Sequence, residues 1–431
     1  MPDLTSQVMP KLKSNRLGEL PVDEDMILPS YDGLSLVNIP NTVSHLLNAP
    51  GFGKPPLDPR IMNALDGPYE KVILLLVDAM GKQLFERMLQ AYTGSVWNKH
   101  FEEAIYATLT SICPSTTASA LTTLWTGEGP SVHGIIGYEM WAKEFGMIMN
   151  NITHTAASAS GDIGGLARSG FDPHLFIQKP LLGTHLKTHG IQTTAFLQAR
   201  IANSGLSLMQ LEDVYVHTFV DEADLGVNLA EFINRRKGIR EYIYVYYSDV
   251  DTLMHRYNAE DFRVSLQFEI FSNVFEKGFL DRVSPAVVKD TLFILTADHG
   301  SVATDRHARY DLANHPELMD CLVMQPTCEN RLAFLYLKPG KDGFVREYFD
   351  RTWPDDFFLV DPQAALESGL FGKGPFRDHV LDRLGNLMVV ARKDAYLWWA
   401  PKTNLMAGRH GGLSAEEMLV PFYALPLGSI K

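Results

Sequence analysis

The sequence has few cysteines, no long apolar run and no excess of positive charge. Its 431 residues include three cysteines, Cys113, Cys321 and Cys328, none in CxxC spacing. That is too few for a disulfide framework and reads as three buried or indifferent thiols in a reducing compartment. No window approaches the ~18 uninterrupted apolar residues of a membrane span. The run VILLLV, Val72 to Val77, is strand-sized. The first residues lack the apolar stretch of a secretory signal. A cytoplasmic protein without a membrane partner is therefore expected. Lysine and arginine number 38 against 51 aspartates and glutamates, a formal net charge of −13. An acidic surface repels polyanions, so a nucleic-acid polymer is not an expected partner. A small anion remains compatible if cations gather in one cleft. The fragments GFGKPP and SGDIGG are Gly-containing loops, and neither is a Walker or Rossmann fingerprint.

What is present is an ordinary globular chain, 46% hydrophobic and 21% charged. Residues 1–30 are polar, carry Pro2, Pro10, Pro21 and Pro29, and read as a loose arm or edge wrap. Lys71–Val77 is an apolar strand without alternation, which implies burial on both faces. Gln192–Leu197, Tyr242–Tyr247 and Thr291–Thr296 are further strands. Helical stretches such as Ala118–Trp125 and the region of Asp261–Phe279 lie between them. Such alternation predicts an α/β fold with a doubly wound, mainly parallel sheet and helices on both faces. After residue 304 the texture changes. Strands are expected at Arg331–Leu337, Phe357–Val360, Asn386–Arg392 and Ala395–Trp399, among Gly and Pro. The expected organisation is an arm (1–30), a catalytic core (31–304 plus 401–431) and a small α+β cap insertion (305–400). A homo-oligomer is compatible with this composition.

Four places put a metal-capable or nucleophilic side chain just beyond an apolar strand. VILLLVDAMG ends a strand on Asp78. CPSTTASALTTLWTG carries Ser115, Thr116 and Thr117 into a small-residue helix. YYSDVDTLMH offers Asp249, Asp251 and His255, and TLFILTADHG offers Asp298 and His299. In an open parallel sheet the strand C-terminal ends share one edge, where ligands bind, so the four places should converge. Asp251 and His255 are i and i+4, on one helix face. Asp298 and His299 are adjacent and can converge only if the strand stops there, as Gly300 permits. His410 lies among Gly408, Gly411 and Gly412. Oxygen and imidazole ligands without thiolate favour zinc, with manganese possible. Taken singly, an Asp at a strand end is more often a helix cap, and the Ser/Thr run more often helix packing. The joint occurrence carries the reading. His133, His307, His315 and His379 have no comparable setting and are read as structural. Trp398 and Trp399 are read as packing before a base-stacking platform.

These motifs resemble the alkaline phosphatase superfamily, and within it the type I phosphodiesterase / nucleotide pyrophosphatase family. The matching pieces are VDAMG, PSTTASALTTLWTGEGPSVHGIIGY, YYSDVDTLMHRY, LTADHG and GRHGGLSAEEMLVPF, from about residue 71 to 422. The resemblance implies two divalent metals, most simply Zn²⁺. One would be held by Asp78, Asp298, His299 and the nucleophile hydroxyl, the other by Asp251, His255 and His410. It implies Thr117 as nucleophile, nine residues before Thr126-Gly127 as in the family. It implies a phosphothreonine intermediate and a small phosphorylated substrate, possibly a nucleotide. One departure stands out. Relatives that cleave nucleotide diesters place an asparagine where Tyr138 stands here, a phenol that could keep one hydrogen bond to a phosphoryl oxygen. Cys113-Pro114 does not fit a sulfatase C/S-x-P-x-R frame, and the cofactor-independent phosphoglycerate mutases carry a serine in another context. Phosphomonoesterase, phosphonate hydrolase and a non-catalytic metal-binding relative remain as alternatives.

Overall fold

The computed structural model describes residues 3–430 except 19, 21, 160, 161 and 163. Pro2, Pro21 and half of the SGDIGG loop lie outside the described residues. In chain order the first strands are β1 (Lys71–Val77), β2 (Ile105–Thr110), β3 (Glu139–Ala142), β4 (Met147–Asn150) and β5 (Thr155–Ala156). Then come β6 (Gln192–Gln198), β7 (Tyr215–Phe219), β8 (Glu241–Tyr247), β9 (Thr291–Thr296) and β10 (Val302–Ala303). The last are β11 (Thr327–Glu329), β12 (Leu332–Leu335), β13 (Phe357–Val360), β14 (Leu387–Ala391), β15 (Gly408–Arg409) and β16 (Leu419–Pro426).

The larger sheet has the order β2-β16-β9-β1-β8-β6-β7. Strands β1, β6, β7, β8 and β9 run parallel, and β16 lies antiparallel between β2 and β9. Every residue of β1, β8 and β9 is buried. That is the cost-free arrangement for strands apolar on both faces, with helices covering each side. The expected α/β architecture is the one observed. All the parallel strands end at the same edge, so Asp78, the 249–257 segment and Asp298-His299 emerge side by side.

The N-terminal segment is more ordered than its composition suggested. Helix α1 (Thr5–Ser14) buries Val8 and Leu12 against β2, and the Leu4 N–H donates to the Tyr106 carbonyl at 2.8 Å. An i, i+4 apolar pair gives this helix its single buried face. A ten-residue helix thus lies along edge strand β2, where a loose arm or an edge wrap was expected.

The second sheet is antiparallel, in the order β13-β14-β12-β11-β3-β4-β5. It takes β3, β4 and β5 from residues 139–156, so the segment 305–400 does not build it alone. The junction is a single register pair, Cys328 with Glu139. Residues 395–399, expected as a strand, make only one bridge, Trp398 with Asp311. Their side chains serve the packing cluster around Tyr310, Trp353 and Tyr396 instead. Among the described residues no helix is long and apolar enough to cross a membrane.

A fully buried ion pair joins the two sheets. Arg331 clamps Glu417 through Nε and Nη2 at 2.8 and 2.9 Å, and neither side chain is exposed. The same carboxylate accepts the Gly412 N–H at 2.8 Å, two residues beyond His410. Breaking a buried pair strands the remaining charge and costs about 3–5 kcal/mol. Arg331→Met should therefore lower the chemical-denaturation free energy by about that amount. A loss below 1 kcal/mol would show that Glu417 finds another partner.

Candidate active site

Three strand ends and a helix start build the site. Asp78 follows β1 directly and is 3% exposed. The next residue, Ala79, is held at φ 59°, a left-handed conformation uncommon outside glycine. Its N–H points at Asp298 Oδ1, 3.0 Å away, and the His299 N–H donates to the same oxygen at 3.0 Å. These two bonds fix one carboxylate oxygen and leave Asp298 Oδ2 free. The chain can turn at Gly300 because there is room for no side chain: a Cβ there would lie 1.9 Å from the Glu416 carbonyl. Close backbone approach, rather than dihedral freedom, requires this glycine. Helix α2 (Thr117–Thr126) begins with Thr117, and α3 (Asp249–Tyr257) carries Asp251 and His255.

The seven expected side chains come together. His299 Nε2 lies 3.5 Å from Asp78 Oδ1, 3.6 Å from Asp298 Oδ2 and 3.2 Å from Thr117 Oγ1. His255 Nε2 lies 3.4 Å from Asp251 Oδ1 and 3.3 Å from His410 Nε2. The two sets share a wall, with the His299 and His410 rings stacked at 3.8 Å between centroids. One atom each from Asp78, Asp298 and His299 gathers within 4.8 Å, as does one each from Asp251, His299 and His410. Asp249 turns away and accepts from Gln198 Nε2. His133 is satisfied by Thr123 and Ile135, as a structural histidine should be.

The orientation of the imidazoles is the informative feature. His255 Nδ1 faces the Gly408 carbonyl at 3.0 Å, His299 Nδ1 the Gly300 carbonyl at 3.0 Å, and His410 Nδ1 the Ser115 carbonyl at 3.1 Å. A carbonyl accepts only, so each Nδ1 carries a proton, and in the neutral ring Nε2 then presents a lone pair. Two such lone pairs, on His255 and His410, then oppose each other at 3.3 Å. Asp78 Oδ1, Asp251 Oδ1 and Asp298 Oδ2 are buried without a hydrogen-bond partner among the described residues. Burial, then Asp298 and Asp251, hold the Asp78 carboxyl well above the usual carboxylate range. Burial and the neighbouring histidines hold His410 well below the imidazole range, hence neutral. Convergent lone pairs on oxygen and neutral nitrogen are a donor set for divalent cations, so the residues present fit the metals that the motifs imply.

The neighbouring hydroxyls are committed elsewhere. Ser115 Oγ donates to the Gly412 carbonyl at 2.8 Å, and Thr116 Oγ1 donates to Glu329 Oε1 at 2.5 Å. Thr117 alone of the three faces His299. Above it opens a cavity of about 430 Å³, walled by Tyr138, Glu139, Glu329, Trp398, Trp399 and Lys402 among others. Tyr138 is 42% exposed on this wall. Trp398 is buried in the second-sheet core, whereas Trp399 is half-buried and donates its Nε1–H to Glu139 at 3.2 Å.

Two residues here were not singled out from the sequence. The Tyr246 hydroxyl donates to Asp78 Oδ2. Its signal was present, since Tyr246 is the last residue but one of a strand ending at the same edge. Glu329 reaches the cavity from β11, and burial pushes its carboxyl up to about 8. No local pattern marks it, because its placement depends on how the second sheet packs.

The sequence profile of type I phosphodiesterases / nucleotide pyrophosphatases matches residues 72–413. The chain belongs to this family. No curated protein sequence matches it significantly. Among solved structures, murine ectonucleotide pyrophosphatase / phosphodiesterase 5 shares 15% identity with a TM-score of 0.61, over 82% of this chain and 88% of that one. An inactive variant of the same murine protein was solved in complex with AMP, at 14% identity and a TM-score of 0.60, over 82% and 87%. Phosphonoacetate hydrolase from Sinorhizobium meliloti 1021, in complex with phosphonoformate, gives 16% and 0.58, over 82% and 89%. At these identities the likeness establishes the fold that phosphodiesterases and phosphonate hydrolases share.

Proposed function

We propose that this family member is a two-metal hydrolase of phosphodiester or phosphoanhydride bonds that works through a phosphothreonine on Thr117. The carrying observation is the set of six side chains whose unpaired carboxylate oxygens and Nε2 atoms converge beside one hydroxyl. Asp78, Asp298, His299 and Thr117 would hold one divalent ion, and Asp251, His255 and His410 the other, with zinc favoured and manganese possible. Bound there, the ions would supply Lewis acidity that favours the threonine alkoxide and neutralises charge at phosphorus.

The chain's own residues do the rest. Thr117 Oγ1 forms a bond to phosphorus while the leaving-group oxygen departs from the opposite side. Water then displaces Thr117, which recovers its proton. Thr117 Oγ1 and His299 Nε2 lie 3.2 Å apart, near enough to be ligands of the same ion. The first turn of α2 aims its N–H groups at the phosphoryl oxygens. From the cavity wall, Tyr138 donates to one of those oxygens through a phenol that is protonated at neutral pH.

The cavity favours a diester over a monoester. Among its described lining residues the one lysine or arginine is Lys402. A monoester dianion needs additional cations, whereas a diester or a nucleotide anhydride presents a single negative charge at the reacting phosphorus. With Zn²⁺ or Mn²⁺ supplied, bis-p-nitrophenyl phosphate should be cleaved with a kcat/KM at least about tenfold above p-nitrophenyl phosphate or a phosphonate, a difference of ~1.4 kcal/mol. The reverse order would point to a monoesterase or phosphonate hydrolase on the same scaffold. Tight metal content with no hydrolysis across ester classes would point to a non-catalytic relative.

A further inference from the structure

Thr116 occupies the residue before α2 in the extended conformation of a helix cap, φ −145° and ψ 147°. A threonine there ordinarily turns its oxygen onto the second or third amide of the helix. Here it makes no such bond. Its hydroxyl donates outward to Glu329 Oε1 at 2.5 Å, and the same oxygen accepts the Tyr138 N–H at 3.0 Å. No acceptor among the described residues meets the N–H groups of Thr117, Ala118 and Ser119, of which a Thr116 cap would have taken one. Ala118 and Ser119 are completely buried and Thr117 is 7% exposed. Buried N–H groups are rarely left unpaired, and three in succession beside a nucleophile call for an explanation.

The approach of Glu329 is built into the backbone. Cys328, just before it, sits at φ 82°, and its α-carbon passes so close to Gly137 that a Cβ on that glycine would be 2.6 Å away. Gly411 lies at φ 112°, where a Cβ would be 2.4 Å from that of Glu329. Two glycines from separate loops therefore admit one carboxyl to the start of α2.

We infer that Glu329 is a positioning residue: by engaging the Thr116 hydroxyl it prevents that side chain from capping α2 and so keeps the first-turn amides open for the phosphoryl group. The inference rests on the phosphoryl-transfer reading above. It assigns to the second sheet a direct part in preparing the site. It also explains why a helix with a cap residue in place goes without its cap.

A double-mutant cycle on the metal-loaded full chain tests it, with bis-p-nitrophenyl phosphate as substrate. Glu329→Ala frees the Thr116 hydroxyl to swing onto its own helix and should lower kcat/KM about tenfold or more. Glu329→Gln keeps an acceptor oxygen and should retain activity within about threefold. In a Thr116→Val background there is no hydroxyl to swing, so adding Glu329→Ala should cost no more than about twofold. Melting curves identify variants that lose the fold, and Glu329→Leu, similar in volume and lacking an acceptor, takes the place of an unstable alanine variant. Full activity in Glu329→Ala overturns the inference. So does an equal loss with and without the Thr116 hydroxyl, which would mark Glu329 as a structural tie alone. Absence of turnover in the unaltered protein overturns the phosphodiesterase reading and this inference together, whereas turnover with no Glu329 effect sinks only the inference.

Discussion

Thr117→Ala should reduce kcat for a diester by about three orders of magnitude or more while leaving the fold intact. The substitution removes a methyl and a hydroxyl from the first residue of a helix, where alanine is a good helix former. The bond lost is the 3.2 Å contact to His299 Nε2. A single hydrogen bond contributes about 0.5–1.5 kcal/mol to stability, so the melting temperature should move by only a few degrees. The chemical loss is of another order, because no neighbouring hydroxyl can take over. Ser115 is held by the 411–412 backbone and Thr116 by Glu329. Steady-state kinetics together with a thermal melt check both halves. Near-normal kcat in this variant would move the nucleophile to Ser115 or Thr116.

Prolonged chelation should abolish turnover, and Zn²⁺ or Mn²⁺ should restore it. The donor atoms have no alternative partners that would let the site work without a cation, since three carboxylate oxygens and opposed imidazole lone pairs already repel one another. Metal uptake should also release protons. Burial and its acidic neighbours raise the Asp78 carboxyl, so the metal-free protein holds a proton that a cation must displace. Affinity should accordingly climb with pH until Asp78 ionises unaided, and then level off. His410, already neutral, contributes no proton. Calorimetry in buffers of different ionisation enthalpy measures the release. Activity that survives complete metal removal, verified by elemental analysis, would falsify the mechanism.

The parallel core and its edge were legible because they follow from short-range rules. Fully apolar strands such as Lys71–Val77 announce burial on both faces, and in a parallel sheet all their ends meet. Asp78, Asp251, His255, Asp298 and His299 could be collected on that basis and His410 from its glycine-rich setting, and geometry joins them. The reason for Gly300 had to be corrected from a turn to a close approach, since no sequence rule reveals that the Glu416 carbonyl passes there. The second sheet was only half visible. Its strands at 139–156 carry no sign that they will be joined through Cys328, far along the chain, and the 395–399 run satisfies its apolar side chains without a ladder. Glu329 follows from that hidden pairing, so no pattern near it could have placed it beside Thr116. Helix α1 was masked by Pro10 and by the polar residues around Val8 and Leu12.

Strand β16 lies between β2 and β9, although it is made from residues 419–426 near the end of the sequence. Of the strands in this sheet, the one that joins β2 to the rest is therefore made after all the others. Until it arrives, two long backbone edges wait exposed, an invitation to holdase chaperones or to aggregation. A stop codon ahead of Leu419 should thus be as ruinous to the accumulation of this protein as one near the start of its message.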